Sequence, residues 1–185
     1  MEDKKIIFLT GVIGSGKDYN ATKYEKMGYE KFSFADGVRD IAWQCLGWKP
    51  FNNEEYIKFK NMKINLSTEE ETKSKISGRD LLINIGDGFR DILDSKIWIK
   101  LLEKKLNKSS NDKFVISDCR YPNEILYFFA SHDIEIKFCN YKSERYMLLD
   151  SRSEWMARKF IELGYQDGDT IPKGLIIDLY MEFNK

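Results

Sequence analysis

Residues 5–18 read Lys5-Ile6-Ile7-Phe8-Leu9-Thr10-Gly11-Val12-Ile13-Gly14-Ser15-Gly16-Lys17-Asp18, and this stretch decides the fold. The apolar run Ile6–Leu9 predicts a buried strand, the glycines a tight loop, and the residues from Tyr19 to Met27 a helix. The spacing follows G-x-x-x-x-G-K-[ST], the phosphate-binding loop, in the strand–loop–helix setting that this pattern requires. Glycine lets successive backbone N–H groups curl around an anion with no Cβ in the way. A helix N-terminus adds partial positive charge, and Lys17 is placed to reach the β- and γ-phosphates of a nucleotide. Gly11, Gly14, Ser15, Gly16, Lys17 and Asp18 are therefore the expected nucleotide-phosphate site. A merely structural turn would need one glycine and would leave Lys17 solvated. Asp18 breaks the pattern, since Ser or Thr normally stands there and holds Mg²⁺. Its carboxylate either ligates the metal, directly or through water, or caps the helix.

Outward from the loop, the bulk properties narrow the class. A chain of 185 residues fits one domain with room for a small insertion and a real core. Thirty Lys and Arg balance thirty Asp and Glu, so no overall field draws the chain to polymeric nucleic acid or an acidic membrane. Aromatic residues make up 14%, which argues for a folded protein. No apolar run approaches membrane-spanning length, and Met1-Glu2-Asp3-Lys4-Lys5 leads into a strand and not a signal peptide. Cys45, Cys119 and Cys139 form no C-x-x-C pair and are expected as free thiols in a reducing cytoplasm, that of a host if the source is viral. His132 is the only histidine, which excludes histidine-rich metal sites; it reads as a turn residue.

Strand and helix patterns alternate, the signature of a parallel sheet covered on both faces. A strand over Lys5–Leu9 is followed by a helix from Gly16 to Met27, which Gly28 ends. A short strand near Lys31–Phe34 precedes a helix carrying the stripe Val38, Ile41, Ala42, Cys45 and Leu46, closed by Gly47 and Pro50. Residues 52–80 are the least legible: Phe51 to Glu54 could start a short helix, while Asn65 to Lys75 is polar and reads as a loop or part of an insertion. Helices are expected over Gly78–Leu93 and Ser95–Leu106, with core stripes Leu81, Leu82, Ile85, Phe89 and Trp98, Leu101, Leu102, Leu106. The strand Phe114–Ser117 ends at Asp118, Pro122 opens a helix to Ala130, and Ile134–Phe138 is a further strand. Asp150 to Glu154 reads as a helix start, with Trp155, Phe160 and Ile161 on its apolar face. The tail from Gly174 reads as either a strand or a terminal helix over Leu175–Phe183.

The strand ending at Asp118 delivers a carboxylate to the edge of the sheet where open α/β folds bind ligands, and Arg120 brings a cation to the same loop. Such an Asp either works at the site or caps a turn. Phosphate transfer between two anionic molecules needs more positive charge than Lys17 provides. Arg39, Arg79, Arg120, Arg145 and Arg152 lie in expected loops or helix ends, and arginine suits bidentate phosphate binding. Each is equally readable as a surface charge.

Several segments together resemble the bacteriophage deoxynucleoside monophosphate kinases. They are Gly11–Asp18 with its Lys17-Asp18 ending, Phe34-Ala35-Asp36-Gly37-Val38-Arg39, Gly78–Asp87 followed by Trp98, Phe114–Arg120 with Asn123-Glu124, and Arg152-Ser153-Glu154. The resemblance implies a three-layer P-loop kinase fold of class α/β, a central parallel sheet with flanking helices. It implies ATP as phosphoryl donor, Mg²⁺, a deoxynucleoside monophosphate acceptor and a homodimer, with Trp98 and its neighbouring helices near the dimer contact. On this reading the domain spans 1–185, with a substrate-binding insertion around 48–80 and a lid around 142–165. Lys17, Asp118, Arg120 and Arg152 would be catalytic: Asp18 and Asp118 at the metal, Arg39, Arg79 and Arg120 on the acceptor phosphate, Arg152 closing from the lid. The phosphomevalonate kinases of animals share the Gly16-Lys17-Asp18 loop and a Ser-Asp-x-Arg strand end, which keeps another phosphorylated acceptor open. A guanine-nucleotide switch would need an [N/T]-K-x-D element at a later strand end, and none is present. A non-catalytic nucleotide-binding module is the third reading.

Overall fold

The computed structural model describes residues 4–65, 75–141 and 154–184. The chain divides into two compact units, one formed by residues 1–34 and 102–185, the other by Ala35–Leu101. The first unit is built on a parallel four-stranded sheet. Its strands are β1 (Lys5–Thr10), β2 (Glu30–Phe32), β5 (Lys113–Cys119) and β6 (Asp133–Phe138), in the order β2-β5-β1-β6. Their central members are apolar on both sides, as a sheet covered on two faces requires: Ile6, Ile7, Phe8 and Leu9 are buried on β1, Phe114, Val115 and Ile116 on β5.

The alternation along β1 sorts the layers. Ile7 and Leu9 join Val115 and pack on Ala21 and Tyr24 of helix α1 (Lys17–Glu25). Phe8 points the other way and meets Phe34 and Phe128, the latter just past helix α6 (Pro122–Leu126). Helices therefore flank the sheet on both faces. Helix α8 (Lys173–Phe183) accompanies α6, and α7 (Trp155–Glu162) reaches β6 through Phe160 against Phe138. The connection leaving β1 runs to one side of the sheet and that leaving β5 to the other. Their ends thus form the switch point at which open α/β sheets hold ligands.

The second unit contains α2 (Ala35–Leu46), α3 (Asn53–Asn61), an antiparallel pair β3 (Lys63–Asn65) and β4 (Lys75–Ser77), and α4 (Gly78–Ile92). Helix α5 (Ile97–Lys108) starts in this unit and continues into the first. The expected insertion at 48–80 lies inside the second unit. Phe59 is its anchor, packed with Ile64 and Leu81 and edge-on to Trp43. Ser77 and Asp80 reciprocally cap α4, each satisfying the other's backbone N–H. Trp98, expected near a dimer contact, is 2% exposed and donates from Nε1 to Gly86 O at 2.8 Å, so its ring is used inside the unit.

Two elements differ from the sequence reading. The polar stretch before Lys75 is flanked by the paired strands β3 and β4, while residues 66–74 lie outside the described residues. Helix α6 ends at Leu126 and not Ala130, because Phe128 and Phe129 donate to Ile125 and Leu126 in tighter i→i+3 turns that bring Phe128 into the core. The tail takes the helical of its two expected alternatives, α8, with Pro172 at its N-cap. Among the described residues no helix is long and apolar enough to cross a membrane. The three cysteines are free, Cys119 and Cys139 buried and Cys45 exposed.

Candidate active site

The loop between β1 and α1 takes the conformation its glycines permit. Gly11, Gly14 and Gly16 have φ of 152°, 79° and 82°, and Gly16, left-handed, is the N-cap of α1. Within this curl the Lys17 ammonium turns back on the loop. It donates to Gly11 O and, at 2.7 Å, to Val12 O, with Ser15 Oγ at 3.5 Å. The loop is tied to its surroundings by Cys139 N to Thr10 O at 2.8 Å and Tyr141 N to Ser15 O at 3.2 Å. Thr10 Oγ1, one residue before the loop, is buried without a hydrogen-bond partner among the described residues. A buried hydroxyl left so is the kind of group that a ligand or water completes.

The Lys17 amine is lowered from its ordinary 10.5 to about 8, chiefly by burial and then by the Arg120 cation, with Glu154, Cys139 and Asp118 opposing the shift. The sign of the resulting pH dependence follows. An unfolded chain holds this proton up to about 10.5, the folded one only to about 8. The destabilisation is thus fully present below pH 8 and is relieved as pH rises toward 10.5. The stability difference between the wild type and Lys17→Ala should move toward the wild type by about 3 kcal/mol across that interval. Urea denaturation of both proteins at pH 7.5 and pH 10.5 measures it, and a constant difference would mean that the amine is not desolvated.

Asp118 stands at the C-terminal end of β5 as the sequence pattern requires, with its carboxylate already engaged. Oδ2 accepts from Ser33 Oγ at 2.6 Å and Oδ1 from Phe34 N at 2.8 Å. It therefore clamps the end of β5 to the chain leaving β2. Asparagine offers one acceptor where aspartate offers two, so Asp118→Asn should cost about 1–2 kcal/mol of stability, readable as a lower urea midpoint. An unshifted midpoint would remove the clamp.

Arg120 follows two residues later and is fixed at both ends. Its N–H donates to Glu124 Oε2 at 2.8 Å, and its Nη1 lies 3.3 Å from Glu154 Oε1. Glu154 in turn accepts from Ile13 N of the glycine loop at 2.9 Å. Asp18 is 86% exposed and pairs with Lys31 of β2 at 2.9 Å, and no side chain caps α1; the capping alternative is thus not adopted. Lys31 is the cation that balances the unusual carboxylate.

Lys17, Asp118 and Arg120 thus meet at one edge of the sheet. Arg39 and Arg79 belong to the second unit. Arg39 bonds Asp36 one helical turn back and lies over the Tyr56 ring; Arg79 is exposed in the first turn of α4. Arg145 and Arg152, and most of the expected lid, lie outside the described residues. The aromatic residues near the loops pack internally: Phe34 stacks on Phe8, Phe32 tilts against Phe114, and Tyr121 meets Phe183. Ser33 and Lys31 were not singled out from sequence, and Glu154 stood only within the segment Arg152-Ser153-Glu154 with no role of its own. Only Lys31 carried a signal, a cation on a short strand next to a carboxylate that needs one.

Mg²⁺ is a hard cation that takes one or two carboxylates, several waters and substrate phosphates, and seldom a cage made wholly of protein. The carboxylates of Asp18 and Asp118 are donors of that kind. Among the described residues no three His, Cys, Asp or Glu side chains converge. The residues at this edge fit a metal that arrives with a nucleotide. No protein-family model matches the chain, and no curated protein matches it significantly.

Proposed function

We propose that the protein is a kinase that transfers the γ-phosphoryl group of ATP to a deoxynucleoside monophosphate, giving ADP and the diphosphate. The observation that carries the reading is the enclosed Lys17 ammonium in a left-handed glycine loop, at a switch point that also holds Asp118 and Arg120. Two cations at one strand edge suit a reaction in which both partners are anionic and charge spreads over the transferred oxygens.

In this reading the loop amides and Lys17 bind the β- and γ-phosphates of the donor, and Lys17 exchanges its contacts with Gly11 O and Val12 O for phosphate oxygens. Arg120 holds the acceptor phosphate, its backbone fixed by Glu124. Asp118 and Asp18 would hold Mg²⁺, which when bound neutralises phosphate charge and orients the groups it bridges. Asp118 also keeps the β2 and β5 ends together, so the two sides of the site share one rigid support. The acceptor class rests on the resemblance of Gly78–Asp87 and Phe114–Arg120 to phage deoxynucleoside monophosphate kinases. A coupled assay with ATP, Mg²⁺ and a panel of nucleoside monophosphates tests it. Turnover with a deoxynucleoside monophosphate supports the proposal. Turnover only with phosphomevalonate, hydrolysis without an acceptor, or binding without turnover would each replace it with another reading.

A further inference from the structure

We propose that Glu154 is a positioning residue for phosphoryl transfer, its buried carboxylate joining the Ile13 amide of the glycine loop to the guanidinium of Arg120. This rests on the kinase reading above. The three groups come from distant parts of the chain: Ile13 and Glu154 are 141 residues apart, Arg120 and Glu154 34. Glu154 occupies the N-cap of α7 yet makes no side-chain cap to that helix. Its carboxylate is directed at the loop and the arginine instead.

Burial makes this arrangement demanding. Glu154 is 3% exposed, and an ionised carboxylate is held there only if it is paired and hydrogen-bonded. One oxygen meets Ile13 N, the other Arg120 Nη1, so both requirements are met by parts of the proposed site. Arg120 has a long side chain, 36% exposed, and an arginine free to swing would seldom face an acceptor phosphate correctly. The carboxylate fixes its direction before substrate arrives, and orientation of this kind contributes to rate more than to affinity.

The test is Glu154→Gln in the full chain, alone and combined with Arg120→Ala. Glutamine keeps an acceptor for Ile13 N–H but removes the charge and replaces the oxygen facing Arg120 by an NH2 donor. Turnover with ATP and the deoxynucleoside monophosphate that the wild type uses should fall by roughly 10- to 100-fold, while ATP binding by calorimetry at neutral pH changes by less than about threefold. In the Arg120→Ala background the same change should have little further effect on turnover, since the partner it aims is gone. Wild-type turnover in Glu154→Gln would overturn the proposal, as would equal losses in the two backgrounds. If Glu154→Gln does not fold, Glu154→Asp, which keeps the charge but shortens the reach, should show the turnover loss; unchanged turnover there overturns the proposal equally. A wild type that binds no ATP removes the kinase reading itself and this inference with it. Wild-type turnover with an unaffected variant removes the inference alone.

Discussion

Lys17→Ala is expected to lower turnover by about two orders of magnitude or more, with the fold intact. The ammonium lies inside the glycine curl, bonded to Gly11 O and Val12 O, where few groups other than an anion would compete for it. An electrostatic contact preorganised in a partly dry site is worth far more to a charge-spreading transition state than the same contact in water. Stability should not suffer in proportion, because the amine is held at a desolvation cost that alanine does not incur. Steady-state kinetics beside a urea melt separates the two effects. Near-normal turnover in a well-folded variant would sink the phosphate-loop assignment.

Gly11→Ala should destabilise the first unit by about 3 kcal/mol or more, from backbone strain and a steric conflict with no exit. A Cβ at this position would stand 2.2 Å from Cys139 O and 2.5 Å from Ser15 Oγ. The hydroxyl could rotate away. The carbonyl could not, because Cys139 is bonded through its own N–H to Thr10 O and so belongs to the β1–β6 pairing. Gly28 is the control: its φ is 87°, but a Cβ there meets nothing within 4 Å, so Gly28→Ala should cost about 1 kcal/mol from strain alone. Equal urea midpoints for the two variants would show that the approach of Cys139 to the loop is not close.

The parts that sequence revealed are those where several local signals agreed. Around β1 and α1 an apolar run, three glycines, a lysine and a helical pattern all point to one structure, and the elements lie within a residue or two of their expected bounds. The same holds for β5, a run of Phe114, Val115 and Ile116 ended by Asp118. The β3–β4 pair escaped notice because Lys63-Ile64-Asn65 and Lys75-Ile76-Ser77 are three-residue strands with one apolar residue each, too short for alternation to register. Glu154 escaped for another reason. Before Trp155 it reads as an ordinary acidic helix start, and nothing near it in sequence indicates that its carboxylate is buried against Ile13. That pairing is made by the order of the strands, not by local pattern.

The strand order also governs when the protein can acquire its sheet during synthesis. β1 and β2 are not neighbours; each pairs with β5, and β1 also with β6. A nascent chain that has emerged through residue 101 has made both early strands and has nothing to pair them with. The unit formed by Ala35–Leu101 is contiguous, so every contact within it is available by then. Long-range parallel pairing has to close large loops before it is rewarded, whereas a contiguous unit closes short ones. The ribosome therefore delivers this protein in an inverted order, with the inserted unit complete first and the sheet that carries the glycine loop assembled last, when Lys113–Cys119 threads between two waiting strands. Until then β1 and β2 present unpaired edges and apolar side chains, which makes this interval the one in which the chain is most exposed to misassembly.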